Sequence, residues 1–325
     1  MDPRLGTAVI VVVGVPAVLI GYIYLTEIVL RLVPERRAGN IRPWLWLAPA
    51  LMFVGVFLIY PTIGTIIRSF QDKAGTAFAG LSNYAWFFGN PEALVSLRNN
   101  VLWVVLLTLF TVGLGMLIAL LVDRVRYESV AKSVIFVPLA ISMVAAGVIW
   151  KFMYAYKSPG LPQVATVNGV LQFFGIDSVP WITVDAAAIN TIALIVVMTW
   201  MWTGFAMVII SAALKGISAE LLEAARVDGA TELQVFKGIV FPLLLPTIAV
   251  VSTTIVITAL KAFDIVYVMT GGQYDTNVIA HLMYQEMFSF GDFGRASALA
   301  VILLIAIVPI MFVNINRFRA QEAIR

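Results

Sequence analysis

The chain has no cysteine and only one histidine, His281, among its 325 residues. The missing cysteines exclude disulfides and thiolate chemistry. Cysteine usage therefore does not indicate whether the chain resides in an oxidising or a reducing compartment. A metal or proton site built on several histidines is not expected either. Charged residues are also scarce, at 12% of the chain, about half of the roughly 25% that is usual for a soluble domain.

Sequence motifs for catalysis are missing as well. No glycine is followed directly by lysine, so the chain has no Gly-x4-Gly-Lys-[Ser/Thr] phosphate-binding loop. It also lacks the HExxH and GxSxG patterns and any convincing pair of carboxylates. We therefore expect a protein that is not an enzyme and holds no cofactor or metal. If ATP drives its function, a partner must hydrolyse it.

Apolar residues dominate, at 61% of the chain, in runs of about 20 residues, the length that a helix needs to cross a bilayer. This predicts an all-α polytopic membrane protein. The predicted spans cover residues 5–30, 44–68, 100–122, 131–155, 187–212, 243–268 and 297–318. The first run is longer than a signal-peptide core and has no small-x-small cleavage site after it, so we expect a retained helix. If it were cleaved, a six-helix core would remain.

Basic residues predict the orientation of these spans. The connections on one side of the membrane carry 13 Lys and Arg, against 8 on the other side, and the denser set belongs in the cytoplasm. That set comprises Arg31, Arg36, Arg37, Arg42, Arg124, Arg126, Lys132, Lys215, Arg226, Lys237, Arg317, Arg319 and Arg325. The N-terminus is then outside and the C-terminus inside. Because the positive residues lie beside spans, the net charge of +3 does not predict nucleic-acid binding.

One long connection, residues 215–246, is too charged for hydrocarbon. Ser218 is a suitable N-cap and Glu220 places negative charge in the first helical turn. Gly229 is expected to end this helix, and a second short helix is expected near Thr231. The pattern predicts a helix–turn–helix at the membrane surface. Residues alone leave two alternatives, a surface loop packed on its own domain or a docking site for another protein.

Polar groups inside the spans are candidates for a functional site. The sixth span supplies Thr258, Lys261 and Asp264, and the last two are three residues apart, so they can pair on one helix face. Alternatively, this pair marks the outer end of the span. The fifth span offers Trp202 and Phe205, which suit the apolar faces of sugar rings but are also common as interface anchors.

The predicted outer connections, residues 69–99, 156–186 and 269–296, are long and irregular. They either pack over the helix ends or form a docking face for an external solute-binding protein.

The 215–246 connection carries a gapped motif. Glu223-Ala224-Ala225 is followed by Gly229, then Ile239 and Phe241-Pro242. This resembles the EAA loop of ABC importer permeases, which usually have Leu where this chain has Phe241. The resemblance implies a coupling helix pair that docks into a cytoplasmic ATPase dimer, which holds the ATP and Mg. The coupling residues implied are Glu223, Ala224, Ala225, Asp228, Gly229, Ala230 and Pro242.

The resemblance extends over residues 44–320 and is strongest to the maltose-type, sugar-importer branch of type I ABC permeases, including alpha-glucoside permeases. It is carried by Asn99-Asn100, Thr199-Trp200 and the run from Ala262-Phe263-Asp264 to Met269-Thr270-Gly271-Gly272. It implies a six-helix permease core in residues 44–325, preceded by an extra transmembrane helix and linker in residues 1–43. It also implies a prokaryotic inner membrane, a second permease subunit and an extracytoplasmic sugar-binding protein.

By the same resemblance, sugar is held midway across the membrane by the two helices that flank the coupling loop. The corresponding residues are Met198, Met201, Trp202, Phe205, Thr258, Ala259 and Ala262, with Lys261 and Asp264 beside them. Met198 and Ala262 stand where the maltose permease has asparagine. Other solutes of the same machinery, such as a glycerol phosphate or an oligosaccharide, remain open. A secondary transporter would be expected to show inverted repeats and charged mid-span residues, and a membrane enzyme clustered acids or histidines.

Overall fold

The computed structural model describes residues 3–32, 34–123, 125–158, 160–184 and 188–322. Within these segments the chain is helical, without a strand, which confirms the all-α prediction. The α-helices are α1 Pro3–Leu32, α2 Glu35–Val54, α3 Tyr60–Arg68, α4 Ser82–Gly89, α5 Pro91–Leu102, α6 Thr108–Val122, α7 Glu128–Phe136, α8 Met143–Met153, α9 Thr166–Phe173, α10 Ile189–Lys215, α11 Ala219–Val227, α12 Glu232–Val235, α13 Phe241–Leu260, α14 Asp264–Met269, α15 Ile279–Tyr284 and α16 Phe293–Glu322. Arg124, Arg325 and the predicted first residue of the fifth span, 187, lie outside the described residues.

Five helices of the described chain are long and apolar enough to cross a membrane. They are Val11–Leu32, Ala38–Arg68, Pro91–Val122, Ile189–Lys215 and Glu232–Leu260. They confirm the first, second, third, fifth and sixth predicted positions. The third begins earlier than predicted because Asn90 caps it, accepting a hydrogen bond from the Ala93 amide, and Pro91 occupies its first turn.

The fourth predicted span, 131–155, is wrong as a single straight helix. Glu128–Ala140 and Met143–Met153 meet at an angle of 99°. Pro138 lies in a short 3₁₀ turn at the break, and Ser142 caps the second helix by accepting from the Ala145 amide. Proline breaks a helix because it has no amide hydrogen, and serine is a preferred helix N-cap, so the sequence carries a signal for this bend.

The sixth predicted span, 243–268, is also interrupted. Helix α13 ends at Leu260, Lys261 to Phe263 form a break, and α14 starts at Asp264. At the seventh predicted position lies helix α16, whose apolar described part, Phe293–Pro309, is shorter than the five long helices, so this span stays a prediction.

Three of the long helices contain π-helical segments, Trp103–Leu107, Gly55–Ile59 and Phe236–Val240, and the last two share one feature. Each of these two is followed by one residue and then a proline, Pro61 or Pro242. A proline has no amide hydrogen to donate to the carbonyl four residues earlier. In both helices, the wider π-helical turn before the proline accommodates this missing hydrogen bond. As a result, α12 runs into α13 as one helix, so the predicted second short helix is the start of the span. The free loop therefore ends near Thr231 and not at Pro246.

Contacts divide the chain into two compact units, Met1–Gly64 and Thr65–Arg325. In the first unit, the Tyr22 hydroxyl donates to the Leu45 carbonyl, and Arg42 lies 3.4 Å from Glu27. These contacts join α1 to α2, so the helix after residue 43 groups with the first helix. The functional division into 1–43 and 44–325 stays a prediction.

The second unit is organised around α10. In its apolar window 61% of the residues are buried, compared with 28% for Pro91–Val122 and 22% for Glu232–Leu260. Two glycines allow neighbouring backbones to come close. A Cβ at Gly115 would lie 2.6 Å from the Ala206 side chain, and one at Gly204 would overlap the Ile135 carbonyl. These approaches fix α6 and α7 against α10.

Candidate functional site

The loop between α10 and α12 has a defined hydrogen-bonded turn. The Ala230 amide donates to the Ala225 carbonyl at 3.0 Å, and the Gly229 amide donates to the Arg226 carbonyl at 3.0 Å. These two bonds are those of a Schellman motif, which requires a left-handed residue after the helix. Gly229 supplies it, with φ of 85°. The predicted end of the first coupling helix is confirmed.

The second helix starts with a capping box at Thr231. The Thr231 side chain accepts from the Gln234 amide, and the Gln234 side chain accepts from the Thr231 amide at 2.7 Å. Arg226 donates to Glu232 at 2.8 Å and so joins the two helices across the turn. This hydrogen bond raises the pKa of Arg226 above its ordinary value. Ser218 is the N-cap residue of α11, as predicted, but its side chain makes no capping hydrogen bond.

The predicted coupling residues lie on two faces of this loop. Glu223, Ala224, Asp228 and Gly229 are exposed, as is Pro242 in the first turn of α13. Ala225 and Ala230 are partly buried against the helical core. A Cβ added at Gly229 would meet no atom within 4 Å. The chain therefore leaves an open surface around this turn.

An ionic cluster connects this loop to a second predicted cytoplasmic connection. Glu128, at the start of α7, forms ion pairs with Lys132 and, at 2.6 Å, with Lys215 at the end of α10. Lys132 also donates to the Ser211 hydroxyl. The cluster brings two of the connections predicted on one side of the membrane to the same end of the second unit.

The other end of the sixth span borders a cavity of about 260 Å³. It is lined by Trp103, Met143, Met198, Trp202, Ile257, Thr258, Lys261, Ala262, Phe263, Asp264 and Ile265. Six of the nine predicted pathway residues are among them, namely Met198, Trp202, Thr258, Lys261, Ala262 and Asp264. The structure thus brings most of the predicted set together, from helices α10 and α13 and the break after α13.

Three predicted pathway residues do not line this cavity. Met201 and Ala259 are buried in the core, at 2% and 0% exposure. Phe205 packs edge-to-face on Trp202, with 5.6 Å between ring centroids, and so supports a wall residue from behind.

The helix break that shapes the cavity is held by residues far away in sequence. Asn100 of α5 is buried; it accepts from the Ile279 amide at 2.8 Å and donates to the Leu260 carbonyl at 3.5 Å. Asn99 donates to the Asp275 and Asn277 carbonyls at 2.6 and 2.8 Å. The two asparagines satisfy backbone groups that the broken helix and the following turn leave without helical partners.

Lys261 and Asp264 do not form the predicted helical pair. The helix ends between them, and no ion pair within 4.0 Å joins them in the described structure. Both side chains instead face the same cavity, which therefore contains one positive and one negative group.

Sequence reasoning missed Trp103 and Met143 as wall residues. Trp103 comes from the π-helical segment between α5 and α6, and Met143 is brought in by the bend between α7 and α8. The indole N–H groups of Trp103 and Trp202 are buried and have no hydrogen-bond partner within the described chain. Pro138 and Ser142 signalled the bend, but nothing in the sequence placed Trp103 beside Trp202.

The irregular connections at this end form a hydrogen-bonded layer. Asn168 is fully buried; it donates to the Ala155 and Val179 carbonyls and accepts from the Trp181 indole at 3.1 Å. His281 is buried under the 270–279 turn, with 2.8 Å between its Nδ1 and the Asn277 Oδ1. The Asn277 amide nitrogen donates to Gln285 at 2.9 Å, so its oxygen accepts and His281 Nδ1 carries the proton. Burial lowers the pKa of His281 below its ordinary value.

In the second unit, long apolar helices with an exposed helix–turn–helix at one end and a partly open cavity towards the other are typical of a membrane-embedded transport subunit. Residues 111–320 match the sequence profile of the binding-protein-dependent transport system inner membrane component. The chain belongs to this family and is a multi-pass inner-membrane subunit of an ABC transporter.

Individual relatives give the same picture. The osmoprotective compounds uptake permease protein GgtC of Synechocystis sp. is 51% identical, over 86% of this chain and 100% of its own. The alpha-glucoside transport system permease protein AglF of Rhizobium meliloti is 45% identical, over 86% and 83%. A bacterial ABC transporter that imports the acidic polysaccharide alginate superposes with a TM-score of 0.73 and 26% identity, over 88% of this chain and 99% of that one.

Proposed function

We propose that this chain is one permease subunit of an ATP-driven, binding-protein-dependent importer of a neutral sugar of the alpha-glucoside, maltose or trehalose type. The observation that carries the substrate class is the composition of the cavity wall. Trp202 and Phe263 are partly exposed and offer aromatic surface for the C–H faces of a sugar ring, and Thr258 offers a hydroxyl. Alpha-glucoside and trehalose/maltose permeases are among the relatives.

The charges of the cavity favour a neutral solute over an anionic one. Lys261 and Asp264 face the same space, so their formal charges cancel. A glycerol phosphate would bring a net negative charge into this balanced site, whereas sugar hydroxyls can donate to the carboxylate and accept from the ammonium group.

The size of the cavity favours a shared site. Ligand pockets usually measure roughly 300–1,000 Å³, and this one measures about 260 Å³. We infer that a second permease subunit supplies the facing wall in a heterodimer, with an extracytoplasmic binding protein delivering the sugar.

The exposed turn is proposed as the docking site for the partner ATPase dimer, which binds ATP and Mg. Glu223, Ala224, Asp228 and Gly229 form its outer surface. The two helices are tied into one rigid piece by the turn and the Arg226–Glu232 ion pair. Movement of this piece on closure of the ATPase would repack the spans between inward- and outward-facing states. In this arrangement the loop and C-terminus face the cytoplasm and the N-terminus lies outside.

The first experiment is purification of the tagged protein with its co-purifying chains, followed by uptake and ATPase assays in liposomes. We expect a second permease, an ATPase, and ATP hydrolysis stimulated by the binding protein loaded with maltose or trehalose. Recovery of this chain alone, moving solute without ATP, would favour a secondary transporter. Uptake of glycerol 3-phosphate in place of the sugars would contradict the charge argument.

The docking site is tested by Gly229→Trp. An added Cβ at Gly229 meets no atom within 4 Å, although any side chain at its φ of 85° strains the turn. The indole should also obstruct the partner, and sugar-stimulated ATP hydrolysis should fall on the order of tenfold, the equivalent of about 1.4 kcal/mol. Gly175→Trp is the matched control, because Gly175 is also exposed, has a φ of 73° and has no atom within 4 Å of an added Cβ. Equal activity of the two variants would refute the docking assignment.

The relative named for uptake of osmoprotective compounds supports a second candidate substrate. At 51% identity, it suggests a small osmoprotective solute in place of a disaccharide. Uptake of labelled trehalose and of a labelled osmoprotective solute, each measured alone, separates the two, because only the true substrate will accumulate in the liposomes.

A further inference from the structure

A cluster of stacked aromatic rings lies next to the cavity at the outer end of the sixth span. It consists of Phe263, Tyr267, Tyr284 and Phe288, which we call the aromatic strip. Ring centroids are 5.3 Å apart for Phe263 and Tyr267, 5.4 Å for Tyr267 and Tyr284, and 4.9 Å for Tyr284 and Phe288. These spacings are those of favourable aromatic contacts.

The strip connects the cavity to the protein surface. Phe263 lines the cavity and is partly buried. Tyr267 is 47% exposed and Phe288 is 69% exposed. Because neighbouring rings are in contact, an apolar sugar face can remain on aromatic surface from Phe288 to the cavity wall.

Polar groups accompany the rings. The Tyr267 and Tyr284 side chains interact with each other, and the hydroxyl of each can hydrogen-bond a sugar hydroxyl. His281 packs behind the rings, 5.9 Å from both Phe263 and Tyr267. Ring faces with hydroxyls at their edges match the alternation of C–H faces and hydroxyls on a sugar.

A membrane-interface belt is the other common reason for exposed aromatics. Such residues anchor individually at the level of the lipid headgroups. Here the rings come from the break before α14, from α14, α15 and the π-helical segment after it, they contact one another, and the innermost belongs to the cavity wall. Continuity with the cavity distinguishes this strip from the isolated exposed pair Phe173 and Phe174 on α9.

We propose that the aromatic strip Phe263–Tyr267–Tyr284–Phe288 is a sugar-binding path that transfers a neutral saccharide from the delivering binding protein to the cavity. The proposal rests on the sugar-import function proposed above. Its occupant is the saccharide itself, bound face-on to the exposed rings.

The test measures sugar molecules moved per ATP hydrolysed in liposomes that contain the complete transporter, with trehalose- or maltose-loaded binding protein at saturation. Phe288→Leu and Tyr284→Leu keep apolar bulk but remove the flat ring. We expect the ratio to fall about three- to tenfold, the equivalent of one lost aromatic contact, while stimulation of ATP hydrolysis by the binding protein is unchanged. Phe288→Trp should keep the wild-type ratio.

Phe173→Leu is the matched control, because Phe173 is 84% exposed and also makes an edge-to-face contact, but it lies away from the strip. A ratio in Phe288→Leu equal to that of Phe173→Leu would overturn the proposal. Lost stimulation of ATP hydrolysis in Phe288→Leu would also overturn it, since the ring would then contact the binding protein. A wild-type transporter that moves neither sugar would instead refute the proposed function.

Discussion

The two ends of the helix Glu232–Leu260 are built in opposite ways. At the end where it begins, the turn is held by bonds between residues close in sequence, such as Ala230 to Ala225 and Thr231 to Gln234. At the cavity end, the break after Leu260 is held by Asn100, which is 160 residues away. The geometry of the helix–turn–helix is therefore a local property of about twenty residues, whereas cavity geometry depends on the assembled fold.

This difference has an energetic consequence. A local turn loses one set of bonds when one residue changes, and its neighbours can re-form bonds with water because the loop is exposed. When a buried hydrogen bond between distant segments is lost, its donor and acceptor cannot bond to water instead, which costs about 1–3 kcal/mol for each group. Substitutions should therefore be more damaging at the cavity end.

The largest effect is expected for Asn100→Leu. The change leaves the Ile279 amide and the Leu260 carbonyl buried without this partner, and should lower the free energy of unfolding by about 2–4 kcal/mol. Hydrogen exchange should increase through residues 261–279, far from the substitution in sequence. Asn90→Ala on the same helix is the control; it removes only the local cap, at about 1 kcal/mol. A variant in which hydrogen exchange rises only around residue 100 would contradict the conclusion that Asn100 holds the break after Leu260.

A smaller and more confined effect is expected for Thr231→Ala. Loss of the capping box should cost about 1 kcal/mol and increase hydrogen exchange only near residues 229–235. Thermal unfolding in detergent should then shift little. Faster exchange in the cavity break of this variant would show that the two ends are coupled in the resting protein.

The smallest effect is expected from His281. Because burial lowers its pKa in the folded chain, the unfolded chain binds the proton more readily. The stabilisation is therefore complete above the ordinary pKa of 6.5 and is lost as the pH falls below it. Thermal unfolding midpoints at pH 8 and pH 5.5 measure the change. His281→Gln should reduce this pH dependence, and an identical dependence in that variant would assign it to other groups.

Much of the coupling end could be predicted from sequence because its signals are local. Gly229 marks a left-handed turn and Thr231 an N-cap, and the structure confirms both. The bend of the fourth span had a signal in Pro138 and Ser142 that hydropathy alone did not reveal. The extension of α12 into the sixth span was not predicted, because a π-helical segment preserves the helix where a break was expected.

The cavity end was predictable only in part. Met198, Trp202 and Thr258, which the family resemblance grouped together, all line the cavity because they lie on the two helices that flank the loop. The predicted helical pairing of Lys261 and Asp264 was wrong, because sequence spacing assumes an unbroken helix. Trp103 was missed because it joins the wall through packing of α5 and α6 against α10.

The sequence by itself determined that this chain is an apolar, helical, membrane-spanning protein with a charged helix–turn–helix between two spans. Those features follow from composition, span length and residues that act on their immediate neighbours. Only the tertiary structure decided where the sixth span breaks, which side chains enclose the cavity, and that an aromatic strip leads away from it. These depend on buried hydrogen bonds and close backbone approaches between segments far apart in the sequence, which no local pattern encodes.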